Sequence, residues 1–454
     1  MTRVVQSVRN ALSSSKESQN YQSIPNVDYA EDDANSLEEP PSEQGRQKIG
    51  AFEYTVFMLL GVAMLWSWNM FMACATYFQS RFAENEFILS NFQSMILGVS
   101  TSTNLAVMIY LSNRQSTANY PYRICTSLIL NCVIFTILAL STVMFIVGSA
   151  SYLVFVLISV FVAALSCGFS QNGVFAFVNR FGGIYTQAIM TGQGIAGVLP
   201  AIAQIASVLA IPQSKAAAGG ASPKSAFAYF MTATCVSGLC LTLFMVLLAR
   251  HDISINGKSQ SAPLFPSDSD SEEDIGARRS VPLSDLFRKL KLTSFAIFYN
   301  FCITMMFPIF TQAILSVRPE GSGRAFQPDV FIPMAFLLWN VGDLSGRIFC
   351  GWERLTIKDP RWLAFWAVSR TAFVPLYFMC NIGGRGAVID NDLFYWLVEL
   401  GFGFTSGWVG SSCMMAAPNY VDEDEKEACG GFMGLCLVLG LTTGSILSFF
   451  VDTA

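Results

Sequence analysis

Apolar runs, each roughly the 20-odd residues that a bilayer-crossing helix needs, recur from about residue 52 to the end of this chain, separated by short polar joints. They predict helices near 52–80, 88–112, 122–147, 151–178, 183–211, 226–250, 289–317, 328–352, 361–382, 392–416 and 428–451, eleven in all. Residues 124–179 hold no charged side chain, and a run of 56 residues is too long for one crossing and suits two, divided at Gly148-Ser149. Residues 1–48 carry no apolar run and are rich in Ser, Asn, Glu and Pro, which predicts a disordered cytosolic tail. The expected organisation is a tail over 1–50, a six-helix half over 51–250, a cytosolic acidic loop over 251–288 and a five-helix half over 289–454.

Composition agrees with this pattern. Hydrophobic residues make up 53% of the 454 residues and charged ones 13%, against about a quarter charged in a soluble domain. The net charge of −5 says little about partners, because the acidic residues collect in the tail and the central loop; no nucleic-acid partner is expected. The 12 cysteines lie in apolar spans without CxxC spacing and read as packing residues, while the single histidine, His251, leaves too few ligands for a zinc site or a histidine triad. An enzyme is not expected, nor is a cofactor or metal.

Basic residues set the expected orientation. With the N-terminus cytosolic, 19 Lys and Arg fall on the inner side and 6 on the outer, as the positive-inside rule asks. The central loop contains Ser267-Asp-Ser-Asp-Ser-Glu-Glu-Asp274, which places acidic residues three positions after Ser267, Ser269 and Ser271 and makes an acidophilic kinase a candidate partner; a solvated linker is the plainer reading. Residues 282–291 read as a short basic amphipathic helix on the inner membrane face. Tyr21-Gln-Ser-Ile24 has the form of a tyrosine-based sorting signal.

The polar residues inside the spans carry the candidate chemistry. Phe336, Asn340, Asp343 and Arg347 are spaced four, three and four apart in the segment Pro333 to Trp352, which places them on one helical face. An ionisable group at that depth costs about 2.5–3.5 kcal/mol, so such groups usually face a bundle interior or a wet cavity. The pair either holds the bundle together or binds solute. A carboxylate, a five-donor guanidinium and an amide suit a neutral, hydroxyl-rich solute. Trp66, Trp68 and Asn69 stand halfway across helix 1, away from the interface where tryptophan usually sits, and Trp68 offers a flat face to a planar ring. Gln171 in helix 4 offers one donor and one acceptor group, as a nucleobase edge does, or an interhelical bond. The small-residue run Gly192-Gln-Gly-Ile-Ala-Gly197 reads as packing, Pro200 and Pro308 as kinks, and Arg370 and Glu399 as a possible pair across helices 9 and 10.

With these residues in place the chain resembles the equilibrative nucleoside transporter family, over nearly everything from about 52 to 452. The motifs are Trp68-Asn69, Gln171-Asn172-Gly173 with the Gly192 to Gly197 run, Phe307-Pro308, Trp339-Asn340-Val-Gly-Asp343-Leu-Ser-Gly346-Arg347 and Gly440-Leu441, in that order over the spans. The lead into helix 11 and the acidic tail and loop look most like fungal members. The resemblance implies an all-α polytopic fold like the major facilitator superfamily in a 6+5 arrangement, and facilitated diffusion of nucleosides, with nucleobases as further candidate cargo, by alternating access. It implies that Asp343 and Arg347 engage ribose hydroxyls, that Gln171 lies near the base, and that Leu65, Trp68, Asn69, Leu105, Phe307, Asn340 and Leu441 line the cavity. Ser67 stands where animal members carry proline and Ser102 where they usually carry methionine. The expected setting is multi-pass in the lipid bilayer of the plasma or vacuolar membrane. A proton- or cation-coupled carrier of another small polar solute is the alternative.

Overall fold

The computed structural model describes residues 50–115, 118–144, 147–210, 223–251, 253, 281–319, 323–352 and 354–452. The N-terminal tail with Tyr21-Ile24, and the stretch of the acidic loop holding Ser267, Ser269 and Ser271, lie outside the described residues.

Helices dominate. The N-terminal set is α1 (Ala51–Ala73), α2 (Ala75–Phe82), α3 (Glu86–Asn113), α4 (Tyr120–Met144), α5 (Ser149–Val178), α6 (Gly183–Ala210) and α7 (Pro223–Arg250). The C-terminal set is α8 (Leu283–Lys289), α9 (Lys291–Thr304), α10 (Phe307–Ala313), α11 (Pro328–Phe349), α12 (Pro360–Ser369), α13 (Phe373–Phe378), α14 (Asp392–Ala416) and α15 (Lys426–Asp452). Among the described residues eight segments are long and apolar enough to cross a membrane, namely α1, α3 to α7, α9 with α10, and α15. The uncharged run divides where expected, between Met144 and Ser149. The side chains of Asn85, Asp359 and Asn391 accept from backbone N–H groups of the first turns of α3, α12 and α14, which fixes where those helices begin.

Three expected helices are interrupted: the one expected over 52–80 breaks at Cys74, between α1 and α2, and proline accounts for the other two. Pro308 sits in the first turn of α10, and the helix breaks just before it at Met305-Met306, because the ring removes a backbone donor and crowds the preceding turn. Pro375 in α13 likewise cannot donate to the Thr371 carbonyl, and a 3-10 turn over Arg370–Ala372 separates α12 from α13. Pro200, by contrast, lies inside an unbroken α6. The short amphipathic helix is present as α8; it buries Leu286, and Lys289 reaches Asp422 at 2.8 Å and Glu425 at 2.6 Å. Those two carboxylates, Asp422 foremost, hold the Lys289 ammonium above its ordinary range.

In the N-terminal set α1 packs on α6 and α7, α4 on α5 and α7, and α3 on α5; in the C-terminal set α11 packs on α14, and α9 on α12, α14 and α15. The two sets meet where α6 lies on α11 and α14, and where α15 lies on α5 and α3. All 12 cysteines are free thiols, most of them buried, in keeping with packing roles.

Candidate functional site

α11 carries its polar stripe between two neighbours, and small residues make room on both sides. Toward α14, a Cβ at Gly346 would collide with the Phe404 carbonyl and one at Gly407 with the Asp343 carbonyl, so the two backbones pass in direct contact. Toward α6, a Cβ at Gly197 would collide with Asn340 Oδ1. The Gly192 to Gly197 run therefore packs as expected: Gly192 meets the α1 backbone at Met58, while Gly194 and Gly197 meet α11 at Leu344, Arg347 and Asn340.

Asp343 and Arg347 are each 5% exposed. Arg347 Nε donates to Asp343 Oδ2 at 2.6 Å, and Nη1 donates across to α6, to Met190 O at 3.0 Å and Gln193 Oε1 at 3.1 Å. Asp343 Oδ1 is buried without a hydrogen-bond partner. Leaving a charged oxygen unpaired costs more than the roughly 1–3 kcal/mol of a neutral group, so this atom calls for an explanation.

Gln193 is the residue that sequence reasoning missed. It was hidden in a run read as packing, yet its amide holds Arg347 through Oε1 and touches Met64 Sδ through Nε2. Its spacing from Met190 and Gly197 on one face of α6 is the signal that marks it. Nearly two turns before it on α6, Gln187 takes the Tyr54 hydroxyl at 2.7 Å and donates to Arg347 O at 3.2 Å.

The other expected residues fall into two groups around this pair. Asn69 on α1 donates to Ala196 O at 2.6 Å, and Asn340 donates to Phe336 O at 2.8 Å. Their amides are thus committed to helix contacts through Nδ2. Phe307 stacks on Trp339 at 4.4 Å between ring centroids and meets Phe336 edge-on at 5.1 Å, which joins α10 to α11. Leu65 and Trp68 are half-buried on the face of α1 that carries Asn69, with Trp68 beside an aromatic cluster and the neighbouring Trp66 donating to Thr232. On the far side, Gln171 of α5 accepts from Asn104 of α3 at 3.3 Å. Leu105 and Leu441 pack against the same core, where α3 and α15 flank α5. Among the described residues no hydrogen bond joins Gln171 to Asp343 or Arg347.

The family is decided by comparison with known proteins. The family described as nucleoside transporter matches residues 157–453. This chain belongs to the nucleoside transporter family. It is similar along most of its length to relatives bearing that name. It is 29% identical over 450 residues to nucleoside transporter FUN26 of Saccharomyces cerevisiae, covering 89% of this chain and 84% of the relative. It is 28% identical over 458 residues to equilibrative nucleoside transporter 1 of Mus musculus, covering 88% and 96%. Among solved structures the fucose:proton symporter FucP of E. coli superposes with a TM-score of 0.55 at 14% identity, covering 89% of this chain and 91% of that one. A second FucP structure, described as a major facilitator superfamily transporter, gives 0.53 at 16% identity, covering 89% and 92%. The nucleoside transporter family member described here therefore has a fold of that superfamily's kind; family and fold are those of transporters.

Two further buried charges in this transporter do not form the pair expected of them. Arg370, 1% exposed, donates to Asn300 O and Oδ1 at 2.6 and 2.7 Å, to Thr304 Oγ1 at 2.9 Å and to Phe402 O at 3.2 Å. Glu399, fully buried, accepts from Thr311 at 2.7 Å and Tyr377 at 3.0 Å. The 3-10 turn before Pro375 aims the guanidinium at α9, where the Asn300 carbonyl and amide oxygens and the Thr304 hydroxyl, together with Phe402 O of α14, satisfy it without a carboxylate.

Proposed function

We infer that this chain carries nucleosides down their gradient by alternating access. The observation that carries the reading is the unpartnered Asp343 Oδ1 beside Arg347, whose Nη2 makes no hydrogen bond among the described residues. A carboxylate oxygen and a guanidinium N–H side by side offer one acceptor and one donor, which matches two vicinal hydroxyls of a ribose. The base then lies toward Trp68 and Phe307 and is read by Gln171, with Leu65, Asn69, Leu105, Asn340 and Leu441 around it. Named relatives of this chain are nucleoside transporters, which supports the same substrate.

The crossing count in this reading is eleven, six before the acidic loop and five after it, when α1 with α2, α9 with α10, and α12 through α13 each span once. α11 and α14 join the eight apolar spans because their polar and small residues, which lower their hydropathy, face protein rather than lipid. The N-terminus is cytosolic, in the plasma or vacuolar membrane. The halves rock about the Asp343–Arg347 site.

The test is uptake of radiolabelled adenosine and uridine into proteoliposomes by wild type, Asp343→Ala and Arg347→Ala at matched protein levels. Saturable uptake that stops at equal concentrations and is lost in both variants supports the proposal. Uptake unchanged in the variants returns the pair to a structural role, and accumulation above the outside concentration under a proton or cation gradient favours the coupled carrier.

A further inference from the structure

We propose that Asn104 decides which end of the Gln171 carboxamide meets the solute, so that the base is read by N–H donors alone. The inference rests on the assignment of Gln171 to the base, made above, and adds to it a positioning residue on another helix.

The geometry begins at Gly168, one turn before Gln171. A Cβ there would lie 2.6 Å from Val107 Cγ1 and 3.2 Å from Asn104 Oδ1, so its absence lets α3 approach α5 closely enough for the two carboxamides to meet. Asn104 Nδ2 then donates to Gln171 Oε1 at 3.3 Å. Gln171 is 5% exposed and makes no other hydrogen bond among the described residues. A carboxamide has an acceptor end and a donor end. With Oε1 turned toward Asn104 on α3, the end of the carboxamide that Gln171 presents away from α3 is Nε2 with its two N–H bonds.

The alternative is to turn both amides over. That would leave Gln171 Oε1 for the solute, and it would place the Asn104 NH2 where Oδ1 now lies, buried without a partner against Gly168. An oxygen in that place keeps weak contact with neighbouring C–H groups, whereas an orphaned N–H keeps nothing. The observed orientation is therefore the one with the smaller penalty, and Asn104 enforces it.

A donor-only reader selects for an acceptor on the base, such as a ring nitrogen or a carbonyl oxygen, and ignores exocyclic amines. Every purine and pyrimidine carries such an acceptor. Breadth across bases follows from the amide pair rather than from a loose pocket.

The test is competition against radiolabelled adenosine uptake by the full-length protein in proteoliposomes. The competitors are purine riboside, which lacks only the exocyclic amine, and 1-deaza-, 3-deaza- and 7-deazaadenosine, each of which lacks one ring acceptor. Wild type is expected to bind purine riboside within about twofold of adenosine and one deaza analogue roughly tenfold more weakly, the size of one buried hydrogen bond. Asn104→Leu should reduce that deaza penalty to about twofold, Asn104→Gln should restore most of it, and Gln171→Leu should abolish it. A wild type that discriminates against purine riboside instead overturns the proposal without any variant, so a poorly folded mutant does not shelter it. A penalty that survives Asn104→Leu but vanishes in Gln171→Leu overturns the role of Asn104 and leaves Gln171 as base reader. A penalty that survives Gln171→Leu removes the base reading itself, and this proposal with it.

Discussion

Asp343 and Arg347 are tied to each other through one oxygen and one nitrogen, and their remaining atoms decide what conservative changes should do. Arg347→Lys keeps the charge but loses the fork that joins Asp343, Met190 and Gln193. Uptake measured over a range of nucleoside concentrations should show KM raised roughly tenfold, with folded yield close to wild type, because a single point charge replaces several directed bonds. Gln193→Leu removes an acceptor that Arg347 relies on without touching Asp343. It should cost about 1–2 kcal/mol of stability in detergent, read as a lower melting temperature, and raise KM by a smaller factor than Arg347→Lys. A Gln193→Leu protein with wild-type melting and wild-type KM would remove Gln193 from the site. Glu399→Leu acts elsewhere: it strands the Tyr377 hydroxyl in the interior, leaves Thr311 only its bond to Phe307 O, and should lower the melting temperature without changing KM.

At the scale of elements, the contact between α11 and α14 depends on what glycine lacks. A side chain at Gly407 must displace the Asp343 backbone, and with it the carboxylate. Gly407→Val should cost several kcal/mol, as overpacking of a tight helix contact does, and give little folded protein. Gly98→Ala is the control, since beyond its own stretch of helix nothing lies within 4 Å of a Cβ there, and substitution in an open helical position should be neutral or mildly stabilising. Equal yields from the two variants would mean that α11 and α14 do not need this approach. The interrupted helices belong to the same scale: Pro308 and Pro375 each release backbone that packing then uses, one to seat Phe307 against Trp339 and the other to turn Arg370 inward.

Across the whole molecule, bonds between the two sets of helices gather at the end that carries Gly50. Arg180 pairs with Glu427, Asn179 donates to Lys426 O at 2.8 Å, and Gln187 reaches Arg347 O. At the opposite end Arg324 reaches Leu209 O at 3.2 Å. In a rocking mechanism the former contacts must open whenever the Gly50 end does. Arg180→Glu or Glu427→Arg alone should shift the balance by about 1 kcal/mol, or roughly fivefold, toward that opening, and the double exchange should restore it. The readout is the rate at which a cysteine placed at Gly183, beside Met415 on this interface, reacts with a water-soluble thiol reagent. A double exchange that reacts as fast as either single variant would argue against the ion pair as a latch.

Apolar lengths and polar spacings alone set the class of protein and placed a polar stripe inside one of its helices. Apolar length requires helices in a bilayer, because backbone polar groups have no water to bond with there. The spacing of Asn340, Asp343 and Arg347 required one shared face, because helical geometry alone sets it. What faces that stripe depended on the tertiary structure. Gln193 and Met190 meet Arg347 only because α6 is pressed against α11; the spacing that sets them on one face of α6 does not say which helix that face meets. The same limit explains Arg370 and Glu399, two opposite charges on neighbouring elements whose partners were set by a turn that proline forces. It explains Asn104 as well, an amide whose role exists only through a glycine and a glutamine on another helix.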